Sequence, residues 1–225
     1  MLAPLLPPPV IAFDTFGDCA DPSPFPEEAA LVAPAVPARR REFATVRRCA
    51  RAALAGFGFP PLPILKGPRG APLWPEGVVG SLAHCTGYRA AAVARTTTAA
   101  SLGIDAEPAV PLPGRVLRKV TLPAERDALG ELAAHHPGIP WDTLLFSAKE
   151  AVYKAWSPLT GRGLGFLDAH VTLRPDGTFG AALLVPGTTT AGPPLTGFDG
   201  RWRVSDGLAL TAVTVPPYGG TTPPP

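Results

Sequence analysis

Apolar residues recur with helical spacing over two stretches of this chain and with strand-like spacing over several shorter ones. Between about Arg40 and Phe57, at roughly 100° per residue, Phe43, Val46, Ala50, Ala53, Leu54 and Phe57 share one face of an amphipathic helix. Arg40, Arg47 and Arg51 form a separate stripe on it, and Gly56, Gly58, Pro60 and Pro61 end it. A second helix runs from about Asp142, a residue type suited to an N-cap, to Trp156. Leu144, Leu145, Ala148, Ala151, Val152, Ala155 and Trp156 make its apolar face. Ser147, Glu150 and Lys154 lie together on the opposite side, with Lys149 on a third edge. A weaker helical pattern covers Pro123 to Ala134.

Short β-type runs flank these helices. Val78 to Leu82, Tyr88 to Ala94 and Ser101 to Asp105 precede the second helix, and a short strand is expected around Val10 to Phe13 within an otherwise irregular, proline-rich first 37 residues. Val171 to Leu173, Gly180 to Val185, Arg201 to Val204 and Leu208 to Val215 follow it. The proline-rich stretch Pro108 to Pro113 reads as a linker, so each half holds one principal helix and about three antiparallel strands. This is an α+β plan, with halves 1–107 and 108–225 and a disordered tail from about residue 217.

Composition narrows the picture further. The chain has 46% hydrophobic and 17% charged residues, an ordinary globular balance, and its 31 prolines and 24 glycines cluster between periodic segments as rigid loops. The three cysteines, Cys19, Cys49 and Cys85, have no metal-ligand spacing and form no disulfide framework. The first residues lack a basic n-region, and no apolar run reaches membrane-spanning length, so a cytoplasmic protein without a membrane partner is expected. A net charge of +2 does not by itself suggest nucleic acid. Six arginines between Arg39 and Arg51 do point to a local anion site.

Asp105 and Glu107 stand two apart in extended chain, so both carboxylates point the same way and can converge on a hard cation such as Mg²⁺. A lone pair of this kind is ordinarily a solvated turn. Glu150 and Lys154 are spaced as an ordinary surface helix pair, or as a base and a phosphate-holding cation. His84 follows a strand, where a histidine is usually structural. Guanidinium groups suit phosphate, although an arginine stripe is usually a solvated face.

Taken together, five segments resemble the surfactin/enterobactin-type 4′-phosphopantetheinyl transferases, most closely the enterobactin-type branch. They are residues 39 to 51 (RRREFATVRRCAR), 63 to 67 (PILKG), 80 to 85 (GSLAHC), 103 to 107 (GIDAE) and 146 to 156 (FSAKEAVYKAW). The resemblance runs from about Glu27 to Val215 and implies a monomer of two pseudo-twofold-related subdomains, each a small antiparallel sheet on a principal helix, with the active site between them. It implies Mg²⁺, with Mn²⁺ as an alternative, on Asp105, Glu107 and Glu150. Glu150 matches the base, and Asp105, Glu150 and Lys154 are the catalytic set. Arg39, Arg47, Lys66, His84, Lys149 and Lys154 match residues that bind coenzyme A.

The implied reaction moves phosphopantetheine from coenzyme A to a serine of an acyl or peptidyl carrier protein, releasing adenosine 3′,5′-bisphosphate. Alternatives are a non-catalytic module binding coenzyme A or carrier proteins, and a metal-dependent coenzyme A phosphohydrolase. One departure is Ala83, where many family members carry Ser or Thr; a hydroxyl contact to the cofactor is expected to be missing.

Overall fold

The computed structural model describes residues 1–19 and 25–218. Strands β1 (Ile11–Phe16), β2 (Val78–Cys85) and β3 (Tyr88–Arg95) form an antiparallel sheet in the order β1-β3-β2. Strands β4 (Ser101–Pro108), β5 (Ala169–Leu173), β6 (Thr178–Gly187), β7 (Leu195–Ser205) and β8 (Leu208–Val215) form a second one in the order β4-β8-β7-β6-β5. The helices are α1 (Pro26–Ala30), α2 (Pro37–Ala55), α3 (Gly114–Val120), α4 (Pro123–His135) and α5 (Trp141–Thr160). The α+β class is as expected, with two small antiparallel sheets packed against helices.

Three apolar cores order these elements into layers. Cys49, Ala50, Ala53 and Leu54 of α2 pack on Ala91 and Val93 of β3. The opposite face of β3, Ala90, Ala92 and Ala94, meets Leu102, Ile104 and Ala106 of β4 and Leu208 and Leu210 of β8. Beyond β4 and β8 lies the core of α5, with Leu144, Leu145, Ala148, Val152 and Trp156. A run of alanines suits β3 because layers press on both of its faces and small side chains let them approach.

The edge strands β2 and β4 lie against each other where the sheets meet, and the amide of Ile104 donates to Ser81 Oγ at 3.0 Å. The functional cleft opens along this seam. Strand β4 therefore belongs to the second sheet by hydrogen bonding, and the division expected at 107/108 falls instead before β4. The prolines 108–113 drew the boundary in the sequence, but the backbone pairing of β4 with β8 decides it.

Helix α5 rests directly on β4. A Cβ added at Gly103 would stand 1.9 Å from the carbonyl oxygen of Ala151, so only glycine permits this approach. Ser101 Oγ fastens the same contact by donating to the carbonyl of Ala155 at 2.8 Å. The polar side of α5 is consequently covered at Ser147, which is fully buried, and open to the cleft at Glu150 and Lys154. The helix begins one residue earlier than expected, with Pro140 at the N-cap, while Asp142 accepts from the amides of Leu112 (2.7 Å) and Thr143 (2.8 Å). It also continues through Pro158 to Thr160.

Each half is stapled by a buried acid from its short helix. Glu28 of α1 accepts from the Ile64 amide at 2.8 Å and pairs with Arg51 of α2 at 2.5 Å. Glu125 of α4 accepts from the Val171 amide at 2.8 Å and pairs with Lys149 of α5 at 2.8 Å. Lys149 also donates to the carbonyls of Phe166 (2.5 Å) and Ala169 (3.2 Å). Lys149, expected to hold cofactor phosphate, has its ammonium turned inward, because Glu125 and two carbonyls supply its partners there.

The first residues are more ordered than expected. Leu2, Leu5 and Leu6 are buried between the sheets, and the amino group of Met1 pairs with Asp14 at 2.6 Å. The segment 221–225, expected to be disordered, lies outside the described residues.

Two substitutions test this framework. Gly103→Ala should cost about 3 kcal/mol or more, because Ala151 is backbone in a packed helix and cannot yield; an unchanged Tm would show that α5 does not sit as described. Lys149→Met should cost about 3–5 kcal/mol by stranding Glu125, whereas Lys154→Met should cost less, because the Lys154 ammonium is partly exposed and its partner Asp105 keeps Ser147. Loss of coenzyme A affinity without loss of Tm in Lys149→Met would restore Lys149 to the cofactor site.

Candidate active site

A cleft of ≈ 780 Å³ follows the seam, walled by α2 and β2 on one side and by β4 and α5 on the other. It gathers Arg39, Arg47, Lys66, His84, Asp105, Glu107, Glu150 and Lys154, eight of the nine residues singled out in the sequence. Lys149 borders a smaller pocket of ≈ 150 Å³ beyond Glu150, with Tyr153, Leu164 and Phe166.

The α2 and β2 wall is cationic. Of the six arginines near the start of α2, only Arg39 and Arg47 face the cleft. Arg40 bonds the carbonyls of Ala33 and Ala35, and Arg51 serves Glu28. Helical geometry makes this sorting, since one face of α2 is spent on the sheet. The Arg47 guanidinium lies 3.3 Å above the Phe43 ring one turn back, and its Nε donates to the Ile64 carbonyl at 2.8 Å. Burial lowers its pKa to about 10, so it stays charged at neutral pH. Lys66 Nζ stands 5.2 Å from the same ring, on the loop between α2 and β2. The tip of that loop crosses the cleft mouth, where Arg69 donates to the Gly161 carbonyl at the end of α5.

His84 projects from β2 with Nε2 3.3 Å from Arg39 Nη1. Burial, and then the cations Arg39, Lys154 and Arg89, press its pKa down to about 4. Ala83 points the other way, fully buried in the core between the sheets. The side chain at that position is therefore not among those lining the cleft.

The β4 and α5 wall holds the acids. Alternation along β4 sends Ile104 and Ala106 into the core and Asp105 and Glu107 to the cleft. Asp105 is fixed at both oxygens: Lys154 Nζ donates to Oδ1 at 2.7 Å, and Ser147 Oγ donates to Oδ2 at 2.8 Å. Thr211 Oγ1 of β8 donates to the Ser147 carbonyl at 2.9 Å, completing the clamp. Lys154 also donates to the Ile104 carbonyl at 3.1 Å.

Burial and the charge of Asp105 push Glu107 up to about 7, with Lys154 opposing and Glu150 adding to the rise. Burial, opposed by Lys154 and reinforced by Asp105, likewise raises Glu150. Among the described residues, no three acidic, histidine or cysteine groups already form a tight metal cage. The three carboxylates share one cleft without being drawn to a single point.

Several contributors escaped the sequence. Thr211 lies in strand β8, far from any motif, and nothing in its neighbours marks it. Phe43 was legible only as a core residue, although its spacing of four from Arg47 could have suggested the stack. Trp74 also lines the cleft, packed so close to Gly80 that a Cβ there would stand 2.7 Å from its ring.

Comparison with known proteins agrees with this geometry. Residues 27–94 match the 4′-phosphopantetheinyl transferase N-terminal domain, and residues 101–196 match the 4′-phosphopantetheinyl transferase superfamily. The two matches part just before β4, as the sheets do. The chain is 57% identical over 225 residues to the 4′-phosphopantetheinyl transferase Svp of Streptomyces mobaraensis, covering 98% of this chain and 92% of that one. It is 54% identical over 200 residues to PptT of Mycobacterium tuberculosis, covering 86% of each chain. Enterobactin synthase component D of Escherichia coli is more distant, 32% identical over 138 residues, covering 59% of this chain and 61% of that one. The chain belongs to the 4′-phosphopantetheinyl transferase superfamily and is an enzyme that transfers phosphopantetheine to carrier proteins.

Proposed function

We propose that the two walls divide the transfer between them: α2 and β2 hold the nucleotide phosphates of coenzyme A, and β4 and α5 carry out the phosphoryl chemistry. The observation that carries this reading is the union in one cleft of Arg39, Arg47, Lys66 and His84 with Asp105, Glu107, Glu150 and Lys154. Anionic phosphates need fixed cations, and phosphoryl transfer depends mainly on positioning and charge neutralisation. The smaller pocket beyond Glu150, with Tyr153, Leu164 and Phe166 around it, has a bore suited to a slender pantetheine arm rather than a nucleotide.

The acids fit a hard divalent cation, Mg²⁺ above others. Burial, and after it the charge of Asp105, raises Glu107 and Glu150, and all three carboxylates offer oxygen donors. Asp105, Glu107 and Glu150 would hold the ion. When bound, it would neutralise the pyrophosphate and the charge developing on the leaving oxygen.

The remaining work falls to the chain itself. Lys154, beside Asp105, offers a cation to the pyrophosphate, and Ser147 keeps Asp105 oriented. Glu150, with its pKa raised, is better matched than an ordinary carboxylate to take the proton of the carrier serine at neutral pH. The serine oxygen forms a bond to the β-phosphorus as the bridging P–O bond breaks and adenosine 3′,5′-bisphosphate leaves. A soluble monomer acting in the cytoplasm on acyl or peptidyl carriers completes the proposal. No helix among the described residues is long and apolar enough to cross a membrane.

Intact-mass spectrometry of an apo carrier protein with coenzyme A and Mg²⁺ should show a gain of one phosphopantetheine that EDTA abolishes. Asp105→Asn should lower the transfer rate by about a thousandfold with the fold retained. Near-normal turnover in that variant, or full activity in EDTA, would refute the acid site.

Burial of Glu107 beside Asp105 has its own signature in the metal-free protein. A carboxylate whose pKa rises to about 7 on folding binds more protons folded than unfolded, so stability falls as pH rises from about 4.5 to 7 and stays low above. Glu107→Gln should therefore raise the Tm at pH 8 and leave it unchanged at pH 4. A Tm gain equal at both values would mean that Glu107 is not under this strain.

A further inference from the structure

Behind the cationic wall stands an acid that the transfer scheme does not use. Glu42 lies on α2 one turn after Arg39, with its Oε1 shielded from solvent. Arg39 Nη1 contacts this oxygen, and His84 Nδ1 lies 3.0 Å from it. Oε2 stands 3.9 Å from Nη2 of Arg89. Arg89 is itself immobilised: its Nε donates to Asp18 at 2.9 Å, and Nη1 donates to the carbonyls of Tyr88 (2.7 Å) and Cys85. Glu42 thus links two cleft-lining groups to a buried, fixed arginine.

The hydrogen-bonding roles follow from elementary chemistry. A guanidinium has only donors, so the 3.3 Å contact between Arg39 Nη1 and His84 Nε2 makes Nε2 the acceptor. The neutral ring then carries its proton on Nδ1, on the side of Glu42. Burial, and after it the cations Arg39, Lys154 and Arg89, disfavours a second proton on the ring.

We propose that Glu42 is a positioning residue for the phosphate-binding wall, holding the Arg39 guanidinium toward the nucleotide phosphates of coenzyme A both directly and through the Nδ1–H form of His84, whose Nε2 accepts from Arg39. This rests on the assignment of that wall to the nucleotide. Its consequence runs against simple electrostatics. An acid beside an anion site repels the anion, so its removal should tighten binding if charge alone mattered. If Glu42 instead holds the donors in place, its removal weakens binding, because the ligand must then order two loose side chains.

The sign of the effect decides. Calorimetric titration with adenosine 3′,5′-bisphosphate should show binding to Glu42→Ala about tenfold weaker than to the wild type, the scale on which supporting residues act. Glu42→Gln, whose amide oxygen can occupy the same place between Arg39 and His84, should stay within about threefold of the wild type. In transfer assays the loss should fall on KM for coenzyme A, with kcat within about twofold, since the reacting groups sit on the opposite wall. Nitrogen-15 NMR of the wild-type protein, with the His84 signal assigned by its loss in His84→Gln, should report the Nδ1–H tautomer and needs no Glu42 variant to fold.

Equal or tighter binding by Glu42→Ala, or an Nε2–H tautomer in the wild type, would overturn the proposal while leaving the nucleotide wall intact. Failure of the wild type itself to bind adenosine 3′,5′-bisphosphate would refute the wall assignment, and this inference with it.

Discussion

The backbone of α5 lies against β4 at a point where residue 103 has no side chain, and the active site depends on that contact. The separation leaves no room for a methyl group between Gly103 and the Ala151 carbonyl. At this distance Ser147 and Lys154, on the flank of α5, reach the two oxygens of Asp105 on β4. A helix seated one methyl group further out would stretch both hydrogen bonds beyond useful length, and the acids would lose their orientation. The glycine of the Gly-Ile-Asp-Ala-Glu run is thus as much a part of the site as the two carboxylates after it, although it contributes no chemistry.

Charge is distributed by the same layered packing. Edge strands β2 and β4 meet at the seam, so each sheet presents one row of side chains to a shared cleft while its principal helix supplies a second. Cations come from α2 and its following loop, acids and one lysine from β4 and α5. In the proposed reading, this separation would let an anionic cofactor meet fixed positive charge on one wall while the acids opposite take up a cation. Burial of acids there lowers stability and is tolerated because buried staples elsewhere, Glu28 with Arg51 and Glu125 with Lys149, hold both halves together.

Lysines 149 and 154 show how little spacing alone says about role. Five residues apart on one helix, they point about 140° from each other around its axis. One turns inward to Glu125 and the other to Asp105 across the cleft. Arginines 47 and 51, one turn apart on α2, divide likewise: one lies over Phe43 in the cleft, and the other is committed to Glu28. Whether a basic residue serves a ligand or the fold depends on which buried acid lies within its reach, and those acids come from distant segments.

Local pattern was enough to reveal both principal helices, the strands, the α+β class and the residue types of the cleft. Helical periodicity, strand alternation and the reach of Asp105 and Glu107 to one side of β4 are properties of a few consecutive residues. The strand β4 and the acids on it were legible for that reason; its membership of the second sheet was not, because pairing with β8 joins residues about a hundred positions apart. The pairing of Lys149 was hidden for the same cause, since nothing near it in the chain announces Glu125. Thr211, Glu42 and the inward-facing Ala83 likewise acquire their places only when separate elements pack. Residue chemistry and local periodicity establish which groups can react and on which local face each stands. Which of them share a cleft emerges only on packing, because burial and long-range pairing set the partners of Asp105, Lys149 and Arg51, where local spacing could not.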